Sequence, residues 1–316
     1  MSFSISVKSY LKKYSNYHNS SNNENLFLFT MPRSGSTWLM ELLSNQPGIK
    51  YCNEPLYLTN PLVKKYSGLK DWKDLHNSDK LYLMEDYFKK FIDGKLGFLN
   101  PTPLGDYYKP LTNRIVFKII HGGEDRINWF RDRFNGKIIY LIRHPLAVAL
   151  SHTKMVRLYT LLDSEYKNNF SEKQIKFSKE VIANGTMIEK VVLSWCLQNF
   201  VPLKYKTEDW AFVTYEQLVK EPEIVVKYLK KKLGLKNTQK ILKNINKPSL
   251  VKNLSNDETI NILKNKEENS NLLLSKWRKK ISLEEELKLF EIINEFELDI
   301  YSPNSFLPNS KYLISN

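Results

Sequence analysis

Cysteine and histidine are scarce in this 316-residue chain, with two cysteines (Cys52 and Cys196) and five scattered histidines. Two thiols without a CxxC spacing exclude a disulfide framework and leave a structural zinc short of ligands. Long apolar runs are missing too. No segment offers about 18 consecutive apolar residues, and the stretch from Met1 to Asn25 turns polar by Ser15. Neither a membrane-spanning helix nor a secretory signal is expected, and the chain reads as cytoplasmic. Acidic residues are in deficit, with 34 Asp and Glu against 48 Lys and Arg, a formal charge of +14. Such a balance attracts polyanions: nucleic acid, an anionic membrane, or phosphorylated and sulfated small molecules. The excess is mostly lysine in an asparagine-rich chain, a pairing that an AT-rich genome also produces, so charge alone selects none of these. What is present is enough to make a core. Hydrophobic residues make up 42% and aromatics 13%, which specifies a folded protein, and the length suits one large α/β domain or two small ones.

Along the chain, residues 1–25 read as a polar leader with a short helix around Ile5–Tyr14, and residues 26–316 as a single domain. Apolar runs predict strands at Leu26–Thr30, Ile49–Cys52, Arg114–Ile120, Lys137–Ile142 and Ala211–Thr214. Helical patterns fall at Ser36–Ser44, Leu81–Ile92, Asp125–Phe134, Leu146 to about Lys154, most of 155–205, and Pro222–Lys232. Ser282 with Glu285 three residues on gives a capping box for a helix through about Phe296. Residues 57–112 are aromatic-rich and irregular, the mark of a substrate-shaping insertion. Strands alternating with helices at this spacing predict an α/β fold: a central, mostly parallel sheet flanked by helices. The lysine run within Lys227–Lys236 reads as a solvated helix face, and Asn261–Lys276 as either a lid or an ordinary loop.

Two segments carry chemistry. In the first, the strand Leu26–Thr30 runs into Met31-Pro32-Arg33-Ser34-Gly35-Ser36-Thr37-Trp38 and then a helix. A strand, a tight turn and a helix N-terminus present consecutive backbone N–H groups to a phosphate-type anion. Arg33 adds a fixed cationic fork, Gly35 lets the backbone approach closely, and Ser36 and Thr37 add hydroxyls, although a plain helix cap would use the same residues. The turn is similar to a Walker A loop but lacks the Gly-Lys-Ser/Thr ending that holds nucleotide phosphates and magnesium. In the second, the strand Ile138–Ile142 delivers Arg143 at its carboxyl end, and a helix carries Ser151 two turns further on. Ligands of open α/β sheets sit at such strand ends. Two anion sites on two strand ends suit a ligand with two separated phosphate-type groups.

The pair resembles the sulfotransferases. Pro32-Arg33-Ser34-Gly35-Ser36-Thr37-Trp38 is similar to their 5′-phosphosulfate loop, and Arg143-His144-Pro145-Leu146-Ala147-Val148-Ala149-Leu150-Ser151 to their 3′-phosphate segment. Ala211–Leu218 resembles a later strand followed by Tyr-Glu. Trp277-Arg278-Lys279-Lys280 resembles a Trp-Arg-Lys element of bacterial and carbohydrate-type members. The resemblance implies a P-loop NTPase-like sulfotransferase fold and 3′-phosphoadenosine 5′-phosphosulfate (PAPS) as co-substrate, without a metal. It places Arg33, Ser34, Gly35, Ser36 and Thr37 around the 5′ end and Arg143 and Ser151 on the 3′-phosphate. It also brings Trp38, Tyr215 and Trp277 to the nucleotide, with core packing the plainer reading for Trp38 and Tyr215. Glu54, in Asn53-Glu54-Pro55-Leu56, matches a Glu-Pro element and is the expected general base; His121 is the rival. Lys118 is read either as a stabiliser of the leaving group or as a solvated lysine at the strand end. The spacing Lys118-x-x-His121 departs from the Lys-x-His of aryl and steroid enzymes, so on an extended strand only one of the two faces the site. A carbohydrate or small-molecule hydroxyl, or an amine, is the expected acceptor. A P-loop kinase is the alternative; a nucleic-acid module finds no motif beyond the charge.

Overall fold

Five short apolar runs form the sheet, and their burial explains why. In the computed structural model, which describes residues 11–12, 14–19, 23–151, 158–247 and 266–315, the strands are β2 (Leu26–Thr30), β3 (Ile49–Asn53), β5 (Arg114–Ile119), β6 (Lys137–Ile142) and β7 (Ala211–Thr214). A two-residue pair, β1 (Tyr17–His18) with β4 (Leu111–Thr112), lies apart from them. All five residues of β2 and all four of β7 are buried, as near-continuous apolar strands require when both sheet faces are covered. The order is β3-β5-β2-β6-β7 and every pairing is parallel. The α/β architecture with a parallel sheet between helical layers is therefore the one expected.

Alternation along the strands sorts the core into two faces. Leu26, Leu28, Val116, Ile139, Leu141 and Val213 pack under α1 (Ser36–Ser44) and a later helix, Pro222–Leu233. Phe27, Phe29, Phe117 and Tyr140 pack on the opposite face, beneath α2 (Leu81–Ile92), α3 (Ile127–Arg133) and the helix Met187–Tyr205. That second face is built from rings: Phe27 stacks on Phe117 at 5.1 Å, and Phe88 meets Phe130 edge-on at 4.9 Å. Much of the aromatic content of 57–112 goes there. Tyr87, Phe88 and Phe91, all on α2, are fully buried, so the aromatic face of that helix is core.

Several expected boundaries shift. The helix after β6, α4, covers only Pro145–Ala149; its expected continuation through Lys154 lies in part outside the described residues, as does the leader helix around Ile5–Tyr14. Within Asn261–Lys276 the described part contains a helix, Lys266–Ser275, rather than a loop. Residues 155–205 contain two long helices, Glu172–Asn184 and α5 (Met187–Tyr205), each opened by a capping box, Ser171 with Gln174 and Thr186 with Glu189. After β7 the chain makes α6 (Tyr215–Lys220), then α7 (Pro222–Leu233) and finally α8 (Leu283–Glu295). The Ser282–Glu285 capping box is present, with the Glu285 N–H donating to Ser282 Oγ at 3.2 Å. No helix among the described residues is long and apolar enough to cross a membrane.

Register decides where the chemistry goes. Thr30 pairs with Leu141, Phe29 with Ile119, Asn53 with Lys118, and Ile142 with Thr214. The strands thus stop together at one edge, and the next residues are the loop 31–37, Glu54, His121, Arg143 and Tyr215.

Candidate active site at the carboxyl edge of the sheet

The loop after β2 is built to leave amides open. Arg33 and Gly35 both take left-handed backbone angles, φ 73° and 87°. Gly35 is the N-cap of α1, and no side chain caps that helix. The first amides of α1 therefore point out of the helix without a capping side chain, which is the condition for anion binding at a helix N-terminus. Ser36 and Thr37 begin the helix instead of capping it. A Cβ on Gly35 would come within 2.6 Å of the Tyr215 ring, so glycine is required here for packing as well as for φ.

On the β6–β7 side, Arg143 leans over this loop. Its Nη1 donates to the Arg33 carbonyl at 3.0 Å, and its guanidinium lies 4.4 Å from the centre of the Tyr215 ring. Tyr215 thus sits between Gly35 and Arg143, and its ring and that of Trp38 meet edge-on at 5.9 Å. The two cations are close enough to feel each other: burial, and then Arg143, pull the Arg33 pKa below the usual arginine value. Nε of Arg33 and Nε of Arg143 are both buried with no hydrogen-bond partner among the described residues. Buried unpaired donors on neighbouring cations are costly unless an anion completes them.

The peptide that carries Arg143 is fixed from behind. Its carbonyl accepts the Trp195 indole N–H at 3.0 Å, and the His144 N–H donates to Glu216 Oε1 at 2.9 Å. His144 Nδ1 accepts the Leu146 N–H at 3.3 Å, so the ring proton is on Nε2, which donates to the Ser305 carbonyl at 3.1 Å. Burial drives the His144 pKa down to about 3. Trp277 is only 5% exposed and stacks on His144 at 4.5 Å. It packs against the Arg143 loop through that histidine. Ser151 lies in the turn after α4, where its hydroxyl donates to the Val148 carbonyl at 2.8 Å. Trp38 is half-buried and lines, with Glu41, Tyr107 and Lys247 among others, a cleft of about 320 Å³.

On the β3–β5 side, a second group forms. Glu54 also has a left-handed backbone, φ 55°, and its N–H donates to the Lys118 carbonyl at 3.0 Å. That kink turns its carboxylate over β5. Glu54 Oε1 lies 2.9 Å from Lys118 Nζ, and Oε2 lies 3.9 Å from His121 Nε2. Lys118 Nζ also donates to Thr37 Oγ1 at 3.0 Å, tying this group to the first turn of α1. The expectation that only one of Lys118 and His121 faces the site is therefore corrected. The strand ends at Ile119, so strict alternation does not reach His121. His121 is held by rings, stacked on Tyr57 at 5.0 Å and edge-on to Trp72 at 5.7 Å. Tyr57 and Trp72 were not legible as site residues; only the sheet order brings them to His121. Glu216 was legible only as part of a Tyr-Glu segment, because its partners lie far away in the chain.

Around an uncapped helix N-terminus, then, two arginines stand on one side and a Glu–Lys–His group on the other. Such a site can bind an anionic ester, stabilise charge on its leaving group and accept a proton from an attacking group. Among solved structures, the chain is similar to mouse sulfotransferase SULT7A1 complexed with PAP, at 15% identity over 90% of this chain and 88% of that one, with a TM-score of 0.45. It is also similar to the sulfotransferase domain of the Synechococcus PCC 7002 olefin synthase, at 18% identity over 90% and 100%, TM-score 0.43. A third is retinol dehydratase in complex with androsterone and inactive cofactor PAP, at 16% identity over 89% and 83%, TM-score 0.44. No curated protein matches the chain by sequence. The sulfotransferase domain family matches residues 131–297, more than half of the chain and the part that supplies Arg143, Tyr215, Trp195 and Glu216. On that match, this protein belongs to the sulfotransferase domain family.

Proposed function

We propose that the protein moves a sulfuryl group from PAPS to a hydroxyl, or an amine, of a carbohydrate or small-molecule acceptor. The observation that carries this reading is the pair of buried, unpartnered arginine Nε donors flanking the uncapped N-terminus of α1. They suit a nucleotide with phosphate-type groups at two positions, and PAP is the nucleotide in two of the similar structures. Arg33 and the amides of Ser34 to Thr37 hold the 5′-phosphosulfate, and Arg143 with Ser151 holds the 3′-phosphate. Trp38 and Tyr215 flank the adenosine.

In the reaction, the acceptor oxygen gives its proton to Glu54 as it attacks sulfur in line. The bond from sulfur to the bridging oxygen breaks, and the electron pair leaves on the 5′-phosphate of PAP. Arg33, and Lys118 anchored on Thr37, take up the charge that develops on that oxygen. His121, whose Nε2 lies 3.9 Å from Glu54 Oε2, is the alternative base. A phosphotransferase is disfavoured because no lysine follows Gly35 to hold a triphosphate.

Incubation with ³⁵S-labelled PAPS and a panel of sugars, phenols and amines tests the proposal. Label should transfer to at least one class, and [γ-³²P]ATP should give none. Transfer from ATP with none from PAPS would reverse the assignment.

A further inference from the structure

Glu216 is a buried carboxylate, 2% exposed, that the reaction does not use. Each of its oxygens serves one donor. Oε1 accepts the His144 N–H at 2.9 Å, and Oε2 accepts the Tyr301 hydroxyl at 2.7 Å. With Trp195 on the carbonyl, the Arg143–His144 peptide is held at both of its polar groups by side chains from two separate helices. Burial pushes the Glu216 pKa up, while the two hydrogen bonds and the Arg143 charge pull against that. A carboxylate buried in this way is unfavourable unless its geometry is complete. The adjoining residue, Tyr215, presses its ring on Gly35 and lies under the Arg143 guanidinium. One dipeptide therefore touches both anion-binding loops and sets their separation.

We propose that Glu216, held by Tyr301, is a positioning residue that fixes the reach of Arg143 and thereby sets the preference for a nucleoside 3′,5′-bisphosphate over a 5′-monophosphate. The inference rests on the donor reading above and adds the part that measures the second anion. Tyr301 comes from the segment after α8, so the C-terminal end of the fold contributes to nucleotide selection without touching nucleotide. In Glu216→Gln the shape is kept, but the amide NH₂ faces one of the two donors. In Tyr301→Phe the ring is kept and one hydrogen bond is lost.

Calorimetry with PAP and with AMP on the wild type and both variants is the test. The Glu216→Gln variant should bind PAP about tenfold more weakly and Tyr301→Phe about threefold, with AMP affinity within about twofold of wild type in both. Equal weakening of PAP and AMP would mean general loosening and would overturn the proposal; so would unchanged PAP affinity. If Glu216→Gln does not fold, Tyr301→Phe decides by the same ratio. A wild type that binds PAP no better than AMP would overturn the donor reading itself, a result distinct from either variant outcome.

Discussion

At the scale of single residues, two arginines 110 positions apart meet at one loop, joined by a hydrogen bond from Arg143 to the Arg33 carbonyl. Each guanidinium should contribute a charge-assisted interaction to one end of the nucleotide. Arg33→Ala or Arg143→Ala should therefore weaken PAP binding about 100-fold by calorimetry, within the range for hydrogen bonds to charged groups; unchanged affinity in either would remove that residue from the site. Glu54 behaves differently, because proton acceptance matters only when the acceptor attacks. Glu54→Gln should keep PAP affinity and lose about 10²–10⁴ in turnover, whereas full activity would move the base to His121, to be checked with His121→Asn. Arg33, Glu54 and Arg143 were legible as candidates from sequence because each stands in a short motif at or just beyond the end of an apolar strand. Lys118 and His121 were legible as candidates but not as a pair. Their joint approach to Glu54 depends on the strand ending at Ile119, before period-2 alternation can carry on to His121.

At the scale of elements, the loop into α1 shows how packing and backbone conformation combine. Gly35 has φ 87°, and an added Cβ would meet Tyr215 at 2.6 Å; Gly234, which ends α7, has φ 63° but nothing within 4 Å. Both positions penalise an L side chain, and only the first also forces Tyr215 off the loop. Gly234→Ala should lower stability by about 1 kcal/mol, and Gly35→Ala by about 2–3 kcal/mol with a loss of PAP affinity. Thermal melts with and without PAP measure both; equal melting shifts and intact binding in Gly35→Ala would contradict the close packing seen here. The elements themselves followed from hydrophobic pattern and caps, as at Ser282 and Glu285. The helix Tyr215–Lys220 did not, since six residues carry too little periodicity to mark it.

Across the whole molecule, the buried histidines set how stability responds to pH. His144 has a folded pKa of about 3 against 6.5 when unfolded, so the unfolded chain binds its proton first. Its contribution is present above about pH 6.5 and is lost as pH falls toward 3, with about 2 kcal/mol already lost at pH 5. His76 has the opposite sign. Burial lowers its pKa, but the hydrogen bond to Asp125 and the charges of Asp125 and Glu124 win and raise it. Its contribution is therefore complete below pH 6.5 and fades as pH rises through the raised value. Urea midpoints should drop between pH 7 and pH 5, and His144→Gln should flatten that drop; an unchanged slope in the variant would show that His144 is not the group responsible.

The amino-acid sequence by itself determined the five strands, the helices with strong caps, and the residues that stand at the strand ends. These are local matters of apolar alternation and turn chemistry, complete within ten residues or so. Tertiary structure alone decided what faces what. The order β3-β5-β2-β6-β7 sets Glu54, Lys118 and His121 on one side of the anion loop and Arg143 and Tyr215 on the other. It also brings Trp195, Glu216 and Tyr301 behind an arginine that lies 52 to 158 residues earlier in the chain. Such contacts are made by strand register and helix packing, which only the assembled sheet supplies.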